Sequence, residues 1–131
     1  MTTQAPAQVP EGFSGSLPEF IVLATLIELG KRPGVDFNYQ SALMGGRLEK
    51  GGVIVDFLFS DPPDLGISVL GEYFHYGFGP EAKARDIMAR EQLAALGITL
   101  IFIDESDVLS DPRFYVQAAL RYRDHSKLTR G

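Results

Sequence analysis

One stretch in the second half of the chain limits the possible folds more than any other feature. Residues 65–70 form a short apolar run, residues 81–96 place Ala89, Leu93 and Leu96 at helical spacing, Gly97 is a helix stop, and residues 98–103 are continuously apolar. Two strands joined by a helix lie parallel through a right-handed crossover, and a parallel pair needs cover on both faces. The class is therefore α/β, with residues 98–103 suited to a buried central strand.

The other segments extend this unit. Residues 1–15, rich in Thr, Gln, Ala, Pro and Gly, read as a flexible N-terminal arm. Ser16 and Glu19 make a capping box for a first helix that ends at Gly30, with Phe20, Leu23, Ala24 and Ile27 expected on its buried face. Residues 37–43 and 53–59 read as a hairpin around two glycine pairs, and Asp61-Pro62-Pro63 turns the chain into the strand at 65–70. Asp111-Pro112 opens a last helix, expected to reach about Arg123. The order is helix, three strands, helix, strand and a C-terminal helix, giving a domain at 16–124 and a basic tail at 125–131.

The 131 residues are 45% apolar and hold no cysteine, which suits one domain and excludes disulfides and thiolate metal sites. Two histidines cannot close a zinc site without carboxylates. No apolar run approaches the ~20 residues that span a bilayer, so no membrane partner is expected, and without a recognisable export signal the expected location is cytoplasmic or virion-associated. The net charge of −5 is a poor footing for a protein that coats nucleic acid, yet residues 113–131 carry +4 and the rest −9. Arg121, Arg123 and Lys127 in that end, with Arg85, are the candidate phosphate contacts.

Asp56 interrupts the most apolar strand, where a lone carboxylate must be solvated, paired or bound to a cation. The segment at 70–77, Leu-Gly-Glu-Tyr-Phe-His-Tyr-Gly, places Glu72 and His75 among aromatic rings at a strand end, where ligands collect in open sheets and an imidazole can act as a base near neutral pH. Asp86 has Lys83 and Arg90 at helical spacing and is equally suited to an ordinary ion pair.

In their order along the chain, these residues resemble the PD-(D/E)XK nucleases. The likeness is greatest to the very-short-patch-repair mismatch endonucleases and related small restriction-endonuclease-like proteins, and spans roughly residues 16–108. Glu19 matches the acid of the family's first helix and Asp56, in Val-Asp-Phe, its central metal-binding aspartate. Gly71-Glu72-Tyr73-Phe74-His75 resembles the repair enzymes' Gly-Cys-Phe-Trp-His, and Arg85-Asp86 their Arg-Asp pair.

The resemblance implies a metal-dependent DNA endonuclease using Mg²⁺, with Asp56, His75, Asp86 and Glu19 catalytic and Asp56, Val69 and Glu72 near the metal. The chain departs from the superfamily at Ser68 and Leu70, where its acid-x-lysine pair would fall. By analogy with the repair enzymes, the Val69 carbonyl and His75 would serve instead. The family's structural zinc cannot form, since Glu72 stands where a cysteine would.

The alternative expectation is a catalytically inactive nuclease fold serving as a nucleic-acid-binding or assembly module, of viral or mobile-element type. A homodimer or larger assembly would help so small an acidic domain embrace a duplex. A carboxylate metal sensor is a third and weaker option, lacking an EF-hand-like loop.

Overall fold

The computed structural model describes residues 9–13, 15–42, 54–71 and 80–130. Among them run α1 (Leu17–Glu28), β1 (Phe37–Ala42), β2 (Ile54–Phe59), β3 (Leu65–Leu70), α2 (Pro80–Ala95), β4 (Thr99–Asp104), α3 (Glu105–Ser110), α4 (Pro112–Leu120) and α5 (Lys127–Arg130). The strands make one sheet in the order β1-β2-β3-β4. Its first two contacts are antiparallel and its last is parallel, so the chain has a mixed α/β fold around a mixed four-stranded sheet.

Period-two alternation gives each sheet face its own core. On one face Phe37, Phe57, Phe59, Leu65, Ile67, Ile101 and Ile103 meet Ile21, Val22 and Leu26 of α1, Val108 of α3, and Val116 and Ala119 of α4. On the other, Val55, Leu70, Leu100 and Phe102 meet Leu93 of α2 and Leu128 of α5. Gly66, on β3, lies between Val55 and Leu100 of this second core. A methyl there would sit 3.0 Å from Val55 Cγ1 and 3.3 Å from Leu100 Cδ1, so glycine permits their close approach.

Several helical expectations need correction. The buried face of α1 carries Ile21, Val22, Thr25 and Leu26, while Ile27 is 52% exposed. Nearly every residue of this helix is apolar, so spacing alone does not single out a face. Leu96 lies beyond α2 and is exposed, because the chain has already turned: Gly97 has φ +83° and the Ile98 N–H returns to the Leu93 carbonyl. The last helix opens at Asp111-Pro112 as expected, with Asp111 capping α4 through the Phe114 N–H, but it ends at Leu120 rather than Arg123, and the short helix α3 before it was not expected.

β4 is an edge strand, not a central one. Its sequence reads as central because Leu100 to Asp104 are buried beneath helices on both faces. The segment after α4 covers the open edge. The Tyr122 hydroxyl donates to the Pro63 carbonyl at 2.5 Å, Asp124 Oδ2 accepts the Phe102 N–H at 2.9 Å, and Asp104 Oδ2 accepts the Lys127 N–H at 2.9 Å. Residues 125–131, set apart in the sequence as a basic tail, thus include Ser126 and Leu128, both buried.

Candidate functional site

Asp56 stands where β2 and β3 part. Their ladder runs from Phe59–Leu65 to Phe57–Ile67 and stops. Beyond it, side chains replace backbone pairing: Asp56 Oδ2 accepts the Val69 N–H at 2.8 Å, and the Asp56 N–H donates to Ser68 Oγ at 3.4 Å. Val55 also falls out of step there, joining the core opposite to that of Phe57 and Phe59. The half-buried Asp56 carboxylate therefore occupies a break in the sheet, which explains how an acid is tolerated within so apolar a strand.

Glu19 approaches from α1. Ser16 caps this helix, accepting the Glu19 N–H at 3.3 Å and donating its own hydroxyl to Glu19 Oε2 at 3.0 Å. The other oxygen, Oε1, accepts the Tyr39 hydroxyl at 2.6 Å. Among the described residues Glu19 has no cationic partner; hydroxyls alone hold it.

Tyr39 hydrogen-bonds Glu19 and also feels the Asp56 charge. Burial raises its pKa, and the hydrogen bond to Glu19, the Glu19 charge and the Asp56 charge raise it further, so the phenol stays protonated as a donor. It is register partner to Phe57 on β2, next to Asp56 in sequence, with ring centroids 5.2 Å apart. Phe13 stacks on its other side at 5.3 Å and 24°, and the Gly15 backbone lies against its hydroxyl, leaving no room for a side chain at position 15. Sequence reasoning missed Tyr39. It belongs to no motif, and its only signal was a polar-tipped aromatic on the strand beside Asp56.

The remaining candidates lie elsewhere or outside the description. Glu72 and His75 fall within residues 72–79, outside the described residues. Asp86 is half-buried on α2, the helix that covers the Leu93 core, and Arg85 beside it is exposed. Val69 lies next to Asp56 through its N–H. Arg121, Arg123 and Lys127 are exposed along the β4 edge segment.

A hydrated Mg²⁺ takes hard oxygen donors, commonly one or two carboxylates plus water. Asp56 and Glu19 are donors of that class. No group of three or more His, Asp or Glu among the described residues is placed to hold a metal. A cation here would therefore rely on carboxylate, backbone oxygen and water.

No helix among the described residues is long and apolar enough to cross a membrane. Comparison with protein-family models, with curated proteins and with solved structures finds no match.

Proposed function

We propose that this chain is a metal-dependent endonuclease hydrolysing DNA phosphodiester bonds within a restriction-endonuclease-like fold. The observation that carries the reading is the Asp56 carboxylate in the opening between β2 and β3, with Glu19 held by Tyr39 on the neighbouring strand β1. The sheet order and the helices on both its faces support the reading, since they suit the fold that the resemblance implies.

In this reading Asp56 would hold Mg²⁺, assisted by the Val69 carbonyl, and Glu19 or Glu72 would serve beside it. An extended residue turns its N–H and C=O toward the same neighbouring strand, so the Val69 carbonyl shares the opening that its N–H enters. The bound cation would neutralise the scissile phosphate and stabilise the leaving 3′ oxygen. His75 would take the proton from the attacking water, Asp86 would orient that imidazole, and the exposed arginines and Lys127 would hold neighbouring phosphates.

The test is Mg²⁺-dependent cleavage of duplex and single-stranded DNA by the full chain. Asp56→Ala abolishes cleavage; an unchanged rate rejects the assignment.

A specific observation favours the second reading, a nuclease fold without catalysis that binds nucleic acid or serves in assembly. Leu70, where the superfamily's lysine would fall, is 2% exposed within the Leu93 core. Both Glu19 oxygens are also already held by hydroxyls. DNA binding by the wild-type chain with no cleavage under any divalent cation would decide for this reading.

A further inference from the structure

The cationic end of the chain is built into the fold as an ordered row. Residues 123–126 are non-helical and lie along the β4 edge, with Asp124 and the buried Ser126 and Leu128 directed to the body, while Arg123, His125 and Lys127 alternate with them and are exposed.

The inward side chains fix it. Asp124 holds the Phe102 N–H through Oδ2 and the Ser126 N–H and hydroxyl through Oδ1, and Asp104, fully buried, holds the Lys127 N–H. The Arg123 side chain has no hydrogen-bond or ion-pair partner among the described residues; its backbone N–H donates to the Ala118 carbonyl at 2.9 Å.

An aromatic ledge stands beside the middle of the row. Phe114 is 51% exposed, with its ring 5.7 Å from His125 and 5.0 Å from Tyr115, and Tyr115 closes the group at 5.8 Å from His125. An exposed ring beside basic side chains is a pairing that holds single-stranded nucleic acid, where bases stack on the ring and phosphates follow the positive charges. A duplex offers its phosphates but keeps its bases paired and stacked.

We propose that the row Arg123–His125–Lys127 with the Phe114 ledge is a docking surface for single-stranded DNA. Charge complementarity favours this end of the chain, where residues 113–131 carry +4, although Asp107 lines the same hollow as Arg123 and His125. The row ends at Lys127, tied to Asp104 at the end of β4 that is level with Leu70, so a bound strand is led toward the sheet end that bears Asp56. The proposal rests on the nucleic-acid part of the reading above and not on catalysis.

The experiment is fluorescence-anisotropy titration of the full chain with labelled oligodeoxythymidylate of about 16 nucleotides and with a duplex of equal length, across a salt series. The expected result is preference for the single strand. Phe114→Ala weakens single-strand binding about ten-fold, and the double variant Arg123→Ala, Lys127→Ala lowers the salt slope by about 1.4, corresponding to two phosphates. His125→Ala, at another exposed position, weakens binding in the same direction, and circular dichroism checks folding throughout.

Equal or tighter binding of the duplex, or unchanged affinity in Phe114→Ala, overturns the surface while leaving the nucleic-acid reading in place. Binding of neither form at low salt overturns both.

Discussion

Gly15 shows how one atom can be disallowed. An added Cβ would meet the Tyr39 hydroxyl and the Phe13 ring and stand 3.0 Å from Glu19 Oε1. Gly15→Ala therefore displaces Tyr39 and is expected to cost about 1–3 kcal/mol, read as a lower midpoint in urea unfolding. Two titrations belong to the same scale. The Tyr39 pKa is raised above its ordinary value near 10, so its contribution is complete below that pH and declines as pH rises beyond it. Tyr39→Phe should flatten the alkaline limb of a stability-against-pH profile; an identical limb in both proteins would contradict the geometry. Asp36 has the opposite sign. Hydrogen bonds from the Arg32 side chain and backbone lower its pKa, so its contribution is present above the ordinary carboxylate range and declines as pH falls through the folded value. Asp36→Asn should flatten the acid limb instead.

At the scale of elements, strands and stops were the legible part. β3 matches its sequence reading at both ends, β1 pairs with β2 as a hairpin, and Gly97 turns where glycine spacing placed it. Helix faces were less legible where composition was uniform: α1 is so apolar that its buried side was decided by the sheet beneath it. The edge position of β4 was hidden for another reason. Burial on both faces leaves the same apolar signature as a central position, and the covering partner, Asp124, is a single polar side chain 22 residues from Phe102. Asp124→Ala leaves that N–H and Ser126 without their acceptor. The expected loss is about 1–3 kcal/mol, with faster hydrogen exchange at the Phe102 amide. Leu93→Ala, on the opposite core, should cost about 2–5 kcal/mol in the same unfolding assay.

For the whole molecule, the sequence showed that an acid in β2 demanded an explanation but not what the explanation was. Asp56 was legible because it broke an apolar run. Its placement at a sheet opening was not, since that depends on where a ladder ends and on a side chain taking a backbone hydrogen bond from β3. Glu19 read as a capping residue and is one, yet it also accepts from Tyr39 on β1, a partner that no local pattern contained. The basic end likewise read as a solvated tail because its inward residues, Asp124, Ser126 and Leu128, are only three and are interleaved with charge.

The cover over β4 makes that end of the chain a stopper. A protein cut after Tyr122 would lose both the acceptor for Phe102 and the N–H that Asp104 receives, leaving an unsatisfied rung on a strongly apolar strand. Light scattering should then register concentration-dependent growth of the shortened protein while the intact chain stays at constant size. The last nine residues would thus protect the molecule from polymerising with itself.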